Sequence, residues 1–295
     1  MATESLLRDV YVGNVDVLCT NRIRLGNLYD GGWDVCDDIE HRPQSPCLVY
    51  SFGINHDFSF DDAVSDKYGC EVHSFDPSYV VNVDVKCTNR IRLGKPDDGG
   101  WDVCDDIEHR PQSPCLVYSF GINNDFSFDD AVSAKYGCEV HSFDPSMGQN
   151  DHKHSDRVFF HKLGISDKDF VNDKAWTMRT LTSIKKQLNH TKINILKMDI
   201  EEDEYKALPN IIASDELKDV DQLLFEIHYN SHNDQATIID FMVRGLELLR
   251  DLRNLGFYVF HSHPNEHNYI TSKISGSRRT TCHELYMLNV NRNRK

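Results

Sequence analysis

The stretch Leu116-Val117-Tyr118-Ser119-Phe120-Gly121-Ile122-Asn123-Asn124-Asp125 decides the fold. With Cys115 it begins as a short apolar and aromatic run, the composition of a strand, and Gly121 ends that run. Ser127, with Asp130 three residues on, opens a helix through Lys135 in the manner of a capping box. Tyr136-Gly137 closes the helix, and Glu139-Val140-His141-Ser142-Phe143 is the next strand, ending at Asp144. Strand, glycine turn, helix, strand and acid in that order form the opening unit of a doubly wound α/β domain.

Downstream the same alternation continues. Met147 to Asp156 is polar and reads as a loop, Arg157 to Lys162 as a strand and Lys174 to Leu188 as a helix. Ile193 to Met198 is a fourth strand with a near-continuous apolar centre, as expected when both faces are covered. Tyr205 to Ile212 is helical and Gln222 to Ile227 is a fifth strand. Thr237 to Leu255 places Ile238, Phe241, Met242, Leu248, Leu249 and Leu252 on one helix face, with Gly245 on that face for close packing. Gly256 ends this helix, and Phe257 to Phe260 and Leu285 to Val290 are a closing pair of strands. The expectation is a seven-stranded, mostly parallel sheet flanked by helices.

Upstream, the opening unit occurs twice. Residues Asn14 to Ser78 recur at Asn82 to Ser146 with an offset of 68 and six differences: Leu18/Lys86, Asn27/Lys95, Leu28/Pro96, Tyr29/Asp97, His56/Asn124 and Asp66/Ala134. One doubled block is not a solenoid, which needs about three repeats. Two strand-helix-strand openings therefore compete for one body. The second copy runs directly into that body, so residues 82–295 are expected to form the working domain and residues 1–81 a partial duplicate. Gly53 and Asp76 of the first copy are expected to be dispensable.

Charge narrows the function classes. Lys and Arg total 32 against 47 Asp and Glu, for a net charge of −15, which repels nucleic acid and anionic membrane. No stretch approaches a membrane span, and the N-terminus as written carries no apolar leader, so the expectation is a soluble cytoplasmic protein. A leader upstream would redirect it to the secretory pathway and give meaning to the sequon Asn189-His190-Thr191. Of nine cysteines, eight are the duplicated four. They contain no C-x-x-C pair, so no metal site is expected and reduced, partly buried thiols are the default. A Cys104–Cys115 bridge is the pairing considered for an oxidising compartment.

Ligands of open α/β sheets bind beyond the carboxyl ends of the strands. The candidate cofactor-binding residues are thus Gly121, Asn123, Asn124 and Asp125, in a turn whose following helix offers free N–H donors, and Asp144, a carboxylate placed to accept from two ribose hydroxyls. No G-x-G-x-x-G is present, which argues against pyrophosphate. Asp199 opens the acidic run Asp199-Ile200-Glu201-Glu202-Asp203-Glu204, which could act on an acceptor, hold a divalent cation, or start a helix. His228, beside Glu226, is the second candidate catalytic residue. The histidines at 261, 263 and 267 lack the spacing of a helical zinc motif.

Together with Cys138 to Ser146, Asp98 to Cys104, Leu196 to Glu201 and Phe225 to His228, the opening stretch resembles the methyltransferase-like protein 24 family over about Cys87 to Val290. The resemblance implies a Rossmann-like class I methyltransferase fold, to which a seven-strand count also conforms. It further implies S-adenosylmethionine as cofactor, with Gly121 and Asp144 at its site. Where members of the family carry a Gly-Ser-like pair after Asp-Ile-Glu, this chain carries Glu202-Asp203. The expected activity is methyl transfer to an unidentified acceptor. The rivals are a cofactor-binding pseudoenzyme and a nucleotide-dependent oxidoreductase. No nucleic-acid partner is expected.

Overall fold

A computed structural model describes residues 19–54, 57–75, 85–96, 99–228, 235–265, 269–271, 278–280 and 282–291. The chain divides into two compact units, Met1–Val80 and Val81–Lys295.

The first unit contains a hairpin of β1 (Arg22–Leu25) and β2 (Trp33–Cys36), then β3 (Leu48–Phe52), α1 (Ser59–Tyr68) and β4 (Glu71–Phe75). Strands β3 and β4 pair in parallel with each other alone among the described residues. Asp76 lies outside those residues.

The second unit repeats this opening as β5 (Arg90–Leu93), β6 (Trp101–Cys104), β7 (Leu116–Phe120), α2 (Ser127–Tyr136) and β8 (Glu139–Phe143). It continues through β9 (His152–Lys153), β10 (Val158–His161), β11 (Gly164–Ile165), β12 (Phe170–Val171), β13 (Thr177–Arg179) and α3 (Leu181–Leu188). After these come β14 (Ile195–Met198), α4 (Glu204–Ala213), β15 (Gln222–His228), α5 (Gln235–Asn254), β16 (Phe257–Pro264), β17 (Tyr269–Thr271), β18 (Arg278–Thr280) and β19 (Cys282–Asn289).

Its sheet has eight strands in the order β16-β19-β15-β14-β7-β8-β10-β9. The run from β15 to β10 is parallel, whereas the β15–β19, β19–β16 and β10–β9 pairings are antiparallel, so β19 and β9 alone run against the rest. The expected seven-stranded, mostly parallel sheet is therefore corrected to an eight-stranded mixed one. The added strand is β9, two residues inside the expected loop Met147 to Asp156 that pair back on β10. The two closing strands do pair, but β19 inserts between β15 and β16.

The pentapeptide Leu-Val-Tyr-Ser-Phe shows what the body contributes. In β7, flanked by β14 and β8, Tyr118 and Phe120 are 0% and 1% exposed. In β3 the same residues, Tyr50 and Phe52, are 58% and 66% exposed. Local sequence forms the strand in both places, and only β7 has neighbours that bury both of its faces. Val117, Val132, Val140 and Ile195 sit in its core cluster.

The expected helix Lys174 to Leu188 is shorter than its polar pattern suggests. Met178 pairs with both Gly164 and Phe170 in a three-stranded sheet of β11, β13 and β12, so the helix waits for Thr180. The Thr180 side chain then caps the helix by accepting from the Ser183 N–H at 3.1 Å. Gly245 packs as expected: an added Cβ would stand 3.2 Å from Ile227 Cδ1.

The reduced-thiol expectation is overturned. Cys87 bonds to Cys104 and Cys115 to Cys138, with Cys19–Cys36 and Cys47–Cys70 as their counterparts. Because Leu116 is in register with Glu139, Cys115 and Cys138 stand side by side at the starts of adjacent strands, with Cα atoms 4.6 Å apart. Cys104 is committed to Cys87, so the Cys104–Cys115 pairing does not form.

Candidate active site

The carboxyl ends of β7, β8, β14 and β15 border a cleft of about 850 Å³, a volume within the range of small-molecule sites. Gly121, Asn123, Asp125, Asp144, Asp199 and His228 all line it, and Asn124 does not. Asn124 is exposed with φ +64°, a left-handed turn position that asparagine tolerates.

Gly121 has φ +72°, and a Cβ there would lie 1.6 Å from the Asp199 carbonyl oxygen. The glycine thus lets the end of β7 pass the backbone at the end of β14, which brings the turn and Asp199 into one cleft. Asp144 is buried, and its carboxylate organises the turns around it. The Asn123 N–H donates to Oδ2 at 2.9 Å, while the Ser146 N–H and Oγ donate to Oδ1 at 2.8 and 2.6 Å. A carboxylate accepts about four hydrogen bonds, so Oδ2 keeps capacity for a ligand hydroxyl.

Asp125 works as the helix cap that the expected Ser127–Asp130 box does not supply. Its Oδ1 accepts from the Ser127 N–H at 2.9 Å, and its Oδ2 meets Lys95 Nζ at 2.8 Å. Burial raises its carboxyl, but Lys95 and the Ser127 donors outweigh this and hold it below the ordinary value.

Among the cleft residues that the sequence did not single out are Lys197, Asp129 and Trp101. Lys197 is buried within β14 and donates to the carbonyls of Phe120 and Gly121 at 3.1 and 3.0 Å, with Trp101 5.0 Å from its Nζ. The signal was a lysine inside the apolar run Ile195-Leu196-Lys197-Met198, where an unpaired charge would be costly. Asp129 is fully covered and accepts from Ser142 Oγ at 2.6 Å. Burial pushes its carboxyl up to about 6.

The far end of the cleft gathers acids around one imidazole. His228 Nε2 lies 3.6 Å from Glu226, 3.6 Å from Glu201 and 3.9 Å from Asp199, and its Nδ1 lies 3.3 Å from buried Glu204. Burial disfavours the charged ring, but Glu204, Glu226 and Asp199 outweigh burial and raise it to about 9. At neutral pH a ring raised this far keeps its proton, so His228 is arranged to donate to the surrounding carboxylates. Glu226, raised to about 7 by burial and by Asp199, titrates near neutrality instead. Glu201 and Glu202 have φ of +55° and +76°, left-handed conformations that cost non-glycine residues about 1–2 kcal/mol each.

His228 should make the fold pH-dependent. An unfolded imidazole titrates near ~6.5, so its stabilisation is complete below that pH and is lost as pH rises through about 9. Wild type should exceed His228→Gln in unfolding free energy by about 3 kcal/mol more at pH 6 than at pH 10. Urea denaturation of both proteins at the two pH values measures this. A gap that does not change with pH contradicts it.

The sequence pattern of a family described as a methyltransferase domain matches residues 7–86 and again residues 78–275. The chain belongs to this methyltransferase-domain family. It is similar to "Probable methyltransferase-like protein 24" of Homo sapiens, 31% identical over 198 residues, covering 62% of this chain and 52% of the human protein. The Rattus norvegicus protein of the same description is 30% identical over 206 residues, covering 63% and 56%. The chain spans about half the length of the curated relatives it matches. The family resemblance carried by the opening stretch is thereby shown. Among the described residues of this methyltransferase-domain chain, no helix is long and apolar enough to cross a membrane.

Proposed function

We propose that residues 82–295 form a class I, Rossmann-like methyltransferase domain that uses S-adenosylmethionine, with no residue of the first copy needed for its cofactor site. The observation that carries the proposal is Asp144 at the end of β8, fixed to the Asn123 N–H and opening into the cleft below the Gly121 turn. The donor set suits the cofactor. Eight acidic residues, Asp144 and Asp199 among them, line the cleft against four lysines and His228, and this acidic excess favours a cationic ligand over a pyrophosphate. Asp144 would hold the ribose hydroxyls through Oδ2, and the Gly121 turn would hold the amino-acid end.

When bound, the cofactor supplies an electrophilic methyl group. The chain's own part is positional. Lys197 fixes the carbonyls at the end of β7, and the His228 imidazolium holds Glu226 and Asp199 at the acceptor side. Glu226 is the group suited to take a proton from an acceptor near neutral pH. The disulfides favour an oxidising compartment, and with it the secretory expectation over the cytoplasmic one.

Calorimetric titration of the full chain with S-adenosylmethionine, and separately with NADH, tests the proposal. Saturable heat with the first and none with the second is expected. NADH binding as tight as that of S-adenosylmethionine would overturn it in favour of the oxidoreductase reading.

A further inference from the structure

A second cluster of metal-ligating side chains lies on the sheet face opposite α2, and none of its members lines the cleft. Glu139 and His141 point the same way from β8, and His190 joins them from the residues after α3. Glu139 Oε1 is 2.9 Å from His141 Nε2 and 3.6 Å from His190 Nε2, and one ligand atom from each of the three lies within 4.8 Å of the others. Ligands about 2.0–2.1 Å from a tetrahedral zinc ion stand roughly 3.3 Å apart, midway between these two separations.

The other ring nitrogens are already held. His141 Nδ1 is 2.8 Å from His161 Nε2, His161 Nδ1 faces Asp151 at 3.4 Å, and His190 Nδ1 is 2.7 Å from the Tyr118 hydroxyl. Such outer partners are what orients metal-bound imidazoles.

With both rings neutral, their hydrogens can serve only one of the two carboxylates at the ends of this line, Glu139 or Asp151. If neutral His141 carries its hydrogen on Nε2 to serve Glu139, then His161 must carry its own on Nε2, and the bare Nδ1 of His161 faces the Asp151 carboxylate. If the hydrogens sit on the two Nδ1 atoms, Asp151 is served but the bare Nε2 of His141 faces the Glu139 carboxylate at 2.9 Å. A cation between His141 and Glu139 resolves the conflict.

We infer that Glu139, His141 and His190 bind a divalent transition-metal ion of the zinc class, with His161–Asp151 and Tyr118 orienting the two imidazoles. Glu139 is half-exposed and gives an ion access from solvent. The first copy repeats the glutamate and histidine as Glu71 and His73, 2.8 Å apart, but His161 and His190 belong to the part of the chain that occurs once. One site per chain follows.

The test is calorimetric titration of the tag-free, EDTA-treated full chain with zinc chloride alone, for wild type, His190→Ala, Glu139→Gln and His73→Ala. Wild type and His73→Ala should each bind one zinc ion, and His190→Ala and Glu139→Gln should bind it at least ~100-fold more weakly. Thermal melts in the same buffers should show zinc raising the midpoint of wild type and not of the two weakened variants. The zinc-free melts report whether those variants still fold. Absence of zinc binding by wild type, or wild-type affinity in both His190→Ala and Glu139→Gln, would overturn the inference.

Discussion

Gly121→Ala should destabilise the Val81–Lys295 unit by about 3 kcal/mol or more, while Gly53→Ala at the same position of the first copy should cost only about 1 kcal/mol. Both glycines are left-handed, with φ of +72° and +77°, so each alanine carries the same backbone penalty. The difference lies in what the methyl group meets. At Gly121 it would lie 1.6 Å from the Asp199 carbonyl oxygen, and backbone cannot rotate away as a side chain can. The ends of β7 and β14 would have to separate, which displaces Lys197 from the Phe120 and Gly121 carbonyls as well. At Gly53 nothing lies within 4 Å. Chemical denaturation of the two variants beside wild type reads the difference. Equal losses would mean that the two strand ends do not cross as described.

The second large effect concerns the bridges. Cys115→Ser with Cys138→Ser should lower stability by roughly 3 kcal/mol, the chain-entropy value for a closure of 23 residues. Cys87–Cys104, closing 17 residues, should be worth a similar amount. Unfolded without reductant, the protein should offer one reactive thiol of its nine cysteines, and dithiothreitol should lower its melting temperature. Nine reactive thiols without reductant, and a melting temperature indifferent to dithiothreitol, would restore the cytoplasmic reading.

The parts of this fold that were legible in the sequence are those decided by neighbours in the chain. The run Leu116 to Phe120, the stop at Gly121 and the helix from Ser127 to Tyr136 fall where composition and turn chemistry place them. Misreadings arose where partners are remote. Nothing near Lys174 announces that Met178 will pair with Gly164 and Phe170, so a polar stretch read as helix begins as a strand. The cysteine pairing depends on β7 lying beside β8 in a particular register, which spacing alone does not carry.

The site divides in the same way. Asp144 and Asp199 were legible because parallel sheets place strand ends on one edge. The charge of His228 was not, because Glu204 and Asp199 reach it from the segment after β14. Nor was the imidazole cluster, whose members come from β8, β10 and the end of α3.

The central claim, that the second copy alone forms the cofactor site, is tested most directly by titrating the full chain with S-adenosylmethionine in wild type, Asp144→Ala and Asp76→Ala. The two aspartates occupy the same position of the two copies. Hydrogen bonds to a charged group are worth about 1.5–3 kcal/mol, so Asp144→Ala should bind roughly ten- to a hundredfold more weakly. Wild type and Asp76→Ala should each take up one cofactor per chain with the same affinity. Two cofactors per chain, or an affinity lost with Asp76 and kept without Asp144, would contradict the account.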